Sequence, residues 1–532
     1  MKKLTADIQQ VLEDFGSLIG AREQYIVLGL LMLLVLLVRL AAIHTPSLEW
    51  TAWKEIDYIY ISQNFAAHGF NFFMPEVGWP ADLPRVTEME FPLVPYAAAL
   101  LYKVFGFNVY SVRLVTLIAA LLLIFFVFKL VRRELGPFEA LIAAFASGVL
   151  PLYHPFGNLL FTEPLMIAFS VGSLYYIAEW VDHRRNSDWI VSLALFSLTI
   201  ALKIETLYLL LPIAWIFFRK YRFDLTKYKK PALLIAMSLI LPVLWYSYAF
   251  YLESIGAHVF GIFKGHNKSQ TLTMLLQPIW YRAMAERVIY DILGGFYGTL
   301  LFLIGLGAAA WLRRGGLIFA YLASIGCYFA IVAEGNIDAP YRQLTVVPAA
   351  SAFIAFGTTL LIAFCFLVYR NLVKTQSIQK FGAIAALAGS LAIVSIIPLR
   401  HYRQIFTENA PRNRPRWDMS RTLRSFSNSE TKVVVIGEWT KHVGGYDVSP
   451  VLYYYSGLQG WTLTPEKWNL EEIDRRRKNG ATLFVAVPPY ETEPPAYQPE
   501  ESPQQFLDEM RARFPLLYED QGQLIFDLTR ER

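Results

Sequence analysis

Long apolar runs recur along the first 400 residues and are separated by shorter polar stretches. An α-helix needs about 20 mainly apolar residues to cross a bilayer, and runs near this length predict about eleven crossings. The runs lie near residues 25–43, 110–128, 138–153, 164–181, 188–202, 206–218, 232–251, 295–312, 316–333, 343–368 and 381–398. We therefore predict an α-helical polytopic membrane protein, with a membrane domain over residues 25–399 and a short polar segment, residues 1–24, before it.

The pattern changes after residue 399. Residues 400–532 are charged and rich in turn formers, with strand-like runs at 432–436, 481–487 and 524–527 and a helical stretch at about 502–514. Continuous β-branched runs with helices between them are typical of a largely buried sheet. We predict a small C-terminal α/β domain. Its sequence shows neither a nucleotide-binding glycine motif nor metal-ligand spacing.

Composition supports a membrane location. Hydrophobic residues make up 55% of the 532 residues and charged residues only 17%, which excludes an ordinary soluble protein of this length. Both cysteines, Cys327 and Cys365, fall inside apolar runs, so we expect neither a disulfide framework nor a cysteine metal site.

Lysine and arginine concentrate in alternate gaps between the apolar runs. The densest gap is the stretch 219–230, and the segment before the first run carries Lys2, Lys3 and Arg22. Because positive residues mark cytoplasmic loops, we expect the N-terminus of this inner-membrane protein to be cytoplasmic. An odd number of crossings then puts the C-terminal domain on the extracytoplasmic side.

The gap between the first two runs differs from the others. Residues 45–92, here called the acidic loop, hold seven carboxylates, with dense points in WKEID at 53–57 and EMEFP at 88–92. A loop that only tethers two helices needs a handful of residues. We therefore predict that the acidic loop carries function.

Other ionisable residues lie at the same predicted side of the membrane. Glu163 opens the fourth run, Lys203 and Glu205 lie between the fifth and sixth runs, and Tyr341 and Arg342 lie at the start of the tenth. Ionisable groups at membrane depth are costly and usually functional. We expect them to converge with the acidic loop on one external cavity.

These side chains suit glycosyl transfer from a lipid phosphate. A carboxylate can take the proton of the acceptor hydroxyl while the sugar passes through an oxocarbenium-like state. Lysine, arginine or a divalent metal can stabilise the departing lipid phosphate. A donor carried on a lipid also explains the lack of a nucleotide-binding motif.

Several short motifs then occur in the order of a known family. They are WKEID at 53–57, ISQNF at 61–65 with Gly69, EMEFPL at 88–93, TEPL at 162–165, LKIE at 202–205 and YRQL at 341–344. Over residues 25–400 the chain resembles the GT-C glycosyltransferases of the protein O-mannosyltransferase and lipid A aminoarabinose transferase kind, the dolichyl-phosphate-mannose-protein mannosyltransferase-like family. The family's leading acidic pair falls on Lys54 and Glu55, so its first Asp is absent. Glu88 and Glu90 stand where the aminoarabinose enzymes have a Glu-Lys pair.

The resemblance implies an inverting glycosyltransferase that moves a sugar from a polyprenyl phosphate to a glycan, lipid or protein acceptor. Membrane lipids are expected partners, and nucleic acid is not. Asp57 is the expected base, one helical turn beyond the missing Asp. The other catalytic candidates are Glu55, Glu88 and Glu90; the donor-phosphate candidates are Lys203, Arg342 and Tyr341; the supporting candidates are Lys54, Glu163 and Glu205. Glu88 and Glu90, with His258 and His266 of the external loop 252–294, are candidate ligands for Mg²⁺ or Mn²⁺.

Two other classes of protein use similar residues. A transporter or flippase for lipid-linked glycans would use the polar cavity without chemistry, but it predicts inverted repeats that the sequence lacks. A non-catalytic scaffold of polysaccharide assembly fits the missing Asp. Simpler interpretations also exist: Asp57 matches the dipole of a helix start, Lys203 can reach the interface from a helix end, and loop histidines usually face solvent.

Overall fold

The computed structural model divides into two units, each assembled from separate stretches of the chain. The first unit comprises Met1–His44, Val109–Ser247 and Asn267–Ile405, and the second comprises Thr45–Asn108, Tyr248–His266 and Phe406–Arg532. The structure describes residues 9–13, 19–41, 43, 47, 52–82, 85–256, 259–263, 271–370, 385, 387–396, 414–437, 439–442, 445–488 and 503–532. The second unit thus joins the acidic loop to the C-terminal domain.

The C-terminal part of the second unit is built on a five-stranded mixed sheet. The strands of this part are β1 (Lys432–Ile436), β2 (Trp439–His442), β3 (Gly445–Val448), β4 (Gln459–Thr462), β5 (Ala481–Ala486), β6 (Leu516–Asp520) and β7 (Gln523–Asp527). The sheet has the order β4-β1-β5-β7-β6, and β2 pairs separately with β3. β1 runs parallel to β4 and β5, whereas β7 is antiparallel to β5 and β6. The three strands predicted from the sequence are present.

Helices cover both faces of this sheet because successive residues of its strands point to opposite sides. One face packs against the helices Leu470–Lys478 and Gln504–Arg513, and the other against Arg414–Arg424 and Val451–Ser456. A short 3-10 turn, Pro465–Lys467, precedes the first of them. The predicted α/β domain with a largely buried sheet is confirmed.

The rest of the second unit contains the acidic loop. Two helices, Ala52–Ala67 and Leu93–Phe105, flank a β-hairpin in which residues 75–77 pair with residues 85–87. Residues 75–87 are here called the acidic hairpin. Its backbone bonds run from the Val77 nitrogen to the Arg85 oxygen and from the Thr87 nitrogen to the Pro75 oxygen. The sequence pattern predicted neither this hairpin nor the helix that follows it.

The first unit is built from helices. They are Ala21–Ala41, Val109–Glu134, Pro137–Val149, Tyr153–Phe156, Thr162–His183, Asn186–Leu202, Leu210–Tyr221, Lys229–Ser238, Ile240–Ile255 (which runs on into the second unit), Thr271–Leu275, Pro278–Glu286, Phe296–Leu312, Gly316–Ile331, Ala333–Asp338 and Val347–Arg370. Adjoining them are the 3-10 stretches Ile204–Leu209, Leu225–Tyr228 and Pro340–Val346 and the π stretch Arg287–Ile292.

Several described helical segments are long and apolar enough to cross a membrane. Five qualify by themselves: Ala21–Ala41, Val109–Glu134, Thr162–His183, Leu225–Ile255 and Pro340–Cys365. A sixth results if the pair Pro278–Ile292 and Phe296–Leu312, bent by 98°, forms one span. Most other predicted runs form helices shorter than the about 20 residues of a full crossing. A multi-pass membrane protein is confirmed, and the count of eleven stays a prediction.

Two helices of the first unit, Phe296–Leu312 and Val347–Arg370, touch backbone to backbone at glycines. A Cβ on Gly305 would lie 1.8 Å from the carbonyl oxygen of Phe353, and one on Gly357 would lie 2.1 Å from a carbonyl oxygen of the facing helix. A backbone oxygen cannot rotate away as a side chain can. Glycine is therefore needed at both positions for this close packing.

Replacing Gly305 by alanine is expected to destabilise the first unit, by about 1–3 kcal/mol as for other overpacked cores. Gly307 lies on the same helix with nothing within 4 Å of an added Cβ, so Gly307→Ala is the matched control. Thermal unfolding of the purified protein in detergent measures both. Gly305→Ala should lower the unfolding temperature, whereas Gly307→Ala should leave it equal or slightly higher. Equal stability of the two variants would contradict the packing described.

Candidate functional site

The Ala52–Ala67 helix buries charged residues. Lys54 is 2% exposed, and Glu55 and Asp57 are fully buried. A buried carboxylate costs several kcal/mol unless hydrogen bonds or an opposite charge replace its water. The partners of each acid therefore decide what it can do.

Asp57 is hydrogen-bonded on one side only. Its Oδ1 accepts a bond from the indole Nε1 of Trp79 at 3.0 Å, whereas its Oδ2 is buried with no hydrogen-bond partner among the described residues. Burial raises the pKa of the Asp57 carboxyl well above its ordinary range, and the Trp79 bond opposes this rise because it favours the carboxylate. One oxygen is thus held while the other is available to take a proton.

Glu88 has both carboxylate oxygens engaged. Its Oε2 accepts a bond from Thr87 Oγ1 at 3.0 Å, and its Oε1 accepts one from the backbone nitrogen of Gly261 at 2.8 Å. The second bond ties the acidic loop to a segment far along the chain. This geometry suits an anchor that holds two segments together.

Glu55 and Glu90 are also held by hydroxyl groups. Glu55 accepts a hydrogen bond from Ser47 Oγ, and Glu90 Oε2 accepts one from the Tyr58 hydroxyl at 2.9 Å. Lys54 Nζ lies 5.9 Å from the centroid of the Tyr58 ring, within cation–π range. The structure thus brings the acids of both dense points together around one helix.

The four predicted acids lie in one unit but differ in their surroundings. Glu55, Glu88 and Glu90 each accept a bond from a serine, threonine or tyrosine hydroxyl. Of these four acids, only Asp57 has a buried oxygen without a hydrogen-bond partner in the described part of the chain. The geometry thus supports Asp57 as the expected base, and its catalytic role stays a prediction.

In the first unit, each predicted phosphate-binding cation is paired with a predicted supporting acid. Lys203 Nζ lies 3.2 Å from Glu163 Oε1, and Arg342 NH1 lies 3.2 Å from Glu205 Oε1. The side chains of Lys203 and Glu163 are only 9% and 2% exposed. Burying a charge is costly, and breaking such a buried pair leaves the remaining charge without compensation.

Two tyrosines adjoin these pairs. Tyr328 lies within electrostatic range of Lys203, Glu205 and Arg342, which makes it a common neighbour of both pairs. Tyr341 packs edge-on against Phe161, with ring centroids 5.5 Å apart. Tyr328 was missed by sequence reasoning because a tyrosine inside an apolar run gives no signal of its own.

The predicted metal site lies partly outside the described residues. These residues include no group of three or more histidine, cysteine, aspartate or glutamate side chains placed to hold a metal ion. Glu88 has both oxygens bonded by protein donors, and Glu90 accepts the Tyr58 hydroxyl. His258 and His266 lie outside the described residues.

Sequence reasoning also missed the residues that hold the acids. Trp79 and Ser47 belong to the acidic loop, but nothing in the pattern distinguishes them as partners of Asp57 and Glu55. One signal was available in the stretch GWPADLP at 78–84, whose glycine and prolines mark a turn around a tryptophan.

The raised pKa of Asp57 predicts a pH-dependent difference in stability between wild type and Asp57→Asn. The pKa of an aspartate carboxyl in an unfolded chain is about 4. When the native pKa is higher, the protein becomes less stable as the pH rises from about 4 through the native pKa. The asparagine variant keeps the acceptor for Trp79 and does not titrate. Its unfolding temperature in detergent, relative to wild type, should therefore rise between pH 5 and 8.5. A constant difference over this range would contradict the raised pKa.

Solved structures share the fold of this chain. ArnT from Cupriavidus metallidurans, solved with bound undecaprenyl phosphate, superposes with a TM-score of 0.63 at 13% identity, covering 96% of this chain and 99% of that one. An oligosaccharyltransferase from Archaeoglobus fulgidus in complex with Zn and sulfate gives 0.54 at 15% identity, covering 86% and 67%. The oligosaccharyltransferase AglB from the same organism, with an inhibitory peptide and a dolichol-phosphate, gives 0.51 at 13%, covering 87% and 69%.

The sequence itself matches one family. The profile of the family described as dolichyl-phosphate-mannose-protein mannosyltransferase matches residues 88–246, which include Glu88, Glu90, Glu163 and Lys203. A comparison with curated proteins found no match. The chain is thus a multi-pass membrane protein of the GT-C fold, and its predicted resemblance to the glycosyltransferases of this family is confirmed.

Proposed function

We propose that this chain is an inverting glycosyltransferase that moves a sugar from a polyprenyl phosphate to an acceptor on the extracytoplasmic side of the membrane. The acceptor is a glycan, a lipid or a protein, with a glycan or lipid ranked first. The observation that carries the proposal is the buried Asp57 carboxyl, bonded through one oxygen and open at the other.

Asp57 acts as the base in this mechanism. A general base works best when its pKa lies near the working pH, and burial moves the Asp57 pKa upwards from the ordinary carboxyl range. The bond from Trp79 orients the group, so Oδ2 can receive the proton of the acceptor hydroxyl. The deprotonated hydroxyl oxygen then attacks the anomeric carbon from the side opposite the leaving phosphate, which inverts that centre.

Lys203 and Arg342 hold the donor phosphate. Negative charge accumulates on the phosphate as the glycosidic bond breaks, and fixed cations stabilise it best where water is excluded. Glu163 and Glu205 hold the two cations in place before the donor arrives. Bound undecaprenyl phosphate in the ArnT structure and dolichol-phosphate in the AglB structure support a lipid phosphate as the donor.

The remaining predicted residues support the site. Glu88 and Glu90 fix the acidic loop through Gly261 and Tyr58, and Glu55 fixes it through Ser47. Each step above is assigned to side chains of the chain. Assays with Mg²⁺, with Mn²⁺ and with a chelator test the predicted metal requirement directly.

Asp57→Asn is expected to reduce sugar transfer at least about 100-fold, since general-base catalysis contributes that much or more. The assay uses purified protein in lipid, a panel of radiolabelled polyprenyl-phosphate sugars and a membrane extract as acceptor. Glu88→Gln should also lose activity, because the carboxylate accepts one bond at each of its two oxygens, whereas the glutamine amide offers one acceptor oxygen and a nitrogen that only donates. Glu76→Gln is the matched control from the same loop. The described ion pair of the Glu76 carboxylate is with the exposed His68, at 3.2 Å.

Two outcomes would overturn the proposal. Full activity of Asp57→Asn would remove Asp57 from the base role. Saturable binding of a donor that wild type never consumes, with any acceptor, would favour a carrier or a scaffold instead.

The orientation of the chain has its own test. Single cysteines are placed at Thr226, in the stretch 219–230, and at Thr529, in the C-terminal domain, after replacement of Cys327 and Cys365 by serine. Both positions are exposed. On intact cells, a membrane-impermeant maleimide should label the cysteine at position 529 and not that at 226. The reverse pattern would place the C-terminal domain in the cytoplasm.

A further inference from the structure

Three consecutive tyrosines of the C-terminal domain contact the acidic loop. They lie on the Val451–Ser456 helix, here called the tyrosine helix. Tyr453 stacks on Trp79 with ring centroids 5.7 Å apart and planes at 20°, and Tyr454 meets Tyr60 edge-on at 5.5 Å. The Tyr455 hydroxyl accepts a bond from the Ser47 nitrogen at 2.8 Å. Consecutive helix residues point about 100° apart, so the acidic loop contacts more than one side of this helix.

Two of these tyrosines reach a predicted catalytic acid through one intermediate residue. Tyr453 supports the ring of Trp79, whose indole nitrogen bonds Asp57. Tyr455 bonds the backbone of Ser47, whose hydroxyl bonds Glu55. The tyrosine helix thus contacts the partners of two acids without touching the reacting atoms itself.

The sheet edge also fixes the tip of the acidic hairpin. Pro80 forms a β-bridge with Gly460 of the edge strand β4. The Gly460 nitrogen donates to the Trp79 carbonyl oxygen at 3.0 Å, and the Gly460 oxygen accepts a bond from the Ala81 nitrogen at 3.1 Å. A Cβ on Gly460 would lie 1.9 Å from the carbonyl oxygen of Val433, so only glycine allows this strand to pack.

Side chains of the acidic hairpin also form hydrogen bonds with the C-terminal domain. Asp82 accepts bonds from the Trp461 indole at 2.6 Å and from Arg476 at 2.8 Å. Arg85 donates to the Gln459 side chain at 2.8 Å. The backbone of Trp79 is therefore held from the sheet, and its ring is held by Tyr453.

We propose that Trp79 and Tyr453 are positioning residues of the transferase, through which the C-terminal domain sets the orientation and basicity of Asp57. The proposal rests on the base role of Asp57 proposed above. It gives the C-terminal domain a part in the chemistry, as the support of the base.

The physical basis of this proposal is that the indole hydrogen bond stabilises the charged form of Asp57. Trp79 donates to Asp57 Oδ1 and so favours the carboxylate, whereas burial favours the protonated acid. Among the described residues, the titratable and hydrogen-bonding groups that face Asp57 are Trp79 and Tyr60, and Tyr60 is faced in turn by Tyr453 and Tyr454. Without the indole bond, burial alone would hold the pKa of Asp57 still higher, and a smaller fraction would be ionised at neutral pH.

The test is the pH profile of kcat/KM for donor turnover in Trp79→Phe. Phenylalanine keeps a ring against Tyr453 but cannot donate to Asp57. We expect the acidic limb to move up by about one pH unit, so kcat/KM falls about tenfold on that limb and recovers at alkaline pH. Tyr453→Ala removes the stack on Trp79 and should shift the limb in the same direction as Trp79→Phe.

Trp468→Phe is the matched control. The Trp468 indole donates to the Leu463 carbonyl at 3.1 Å, so this change removes a tryptophan N–H bond to a backbone carbonyl of the C-terminal domain. Its pH profile should equal that of wild type. A loss of activity in Trp79→Phe that is equal at every pH, or an unshifted profile, would overturn the positioning role.

A second readout works without catalysis. Asp57→Asn is introduced into wild type and into Trp79→Phe, and the difference in unfolding temperature that it causes in each protein reports the titration of Asp57. In Trp79→Phe this difference should keep growing to a higher pH than in wild type. If wild type turns over no donor, the proposed function fails while this measurement still tests the Trp79 bond. The same pH dependence in both backgrounds would refute the bond's effect on Asp57.

Discussion

The hydrogen bond from the Trp79 indole to the Asp57 carboxylate is the contact on which the rest of the site depends. A buried carboxyl without any donor is shifted towards its protonated form, so a smaller fraction of it can act as a base at neutral pH. In Glu88, by contrast, both carboxylate oxygens already accept a hydrogen bond from a protein donor. Asp57 lies between these limits, with one oxygen held and one open.

Maintaining that contact requires distant parts of the chain to fold together. Trp79 is the tip of a hairpin in the acidic loop, yet its backbone is held by Gly460 and its ring by Tyr453. These contacts join residues that are far apart in the chain. Closing such long loops carries an entropic cost. The same contacts cover the β4 edge, which would otherwise offer unpaired backbone groups to another chain.

The fold was largely predictable from the sequence because its main determinants are local. Apolar runs and β-branched runs predicted the membrane helices and the α/β domain, and the structure contains both. The acidic hairpin and the joining of the acidic loop to the C-terminal domain were not predictable, since both depend on contacts between residues far apart in the chain. The resemblance to a glycosyltransferase family rested on short motifs whose order a single sequence displays.

The candidate site was predictable in part. Carboxylates in a dense polar loop identified Asp57 and its neighbours, and ionisable residues at the ends of apolar runs identified Lys203, Glu205 and Arg342. The ion pairs of Lys203 with Glu163 and of Arg342 with Glu205 emerge only from the structure. The partners of the acids are tryptophan, tyrosine, serine and threonine, which occur throughout a membrane protein and carry no pattern. Their roles depend on geometry alone, and Tyr453 is the clearest example.

The most direct measurement of the central claim is the protonation state of Asp57 itself. Infrared difference spectra between wild type and Asp57→Asn, recorded across a pH series in lipid, isolate the carbonyl band of this carboxyl. We expect a protonated-acid band that disappears as pH rises, over the same range in which sugar transfer by wild type appears. A carboxylate band at every pH, or a titration unrelated to that of activity, would contradict Asp57 as the buried base.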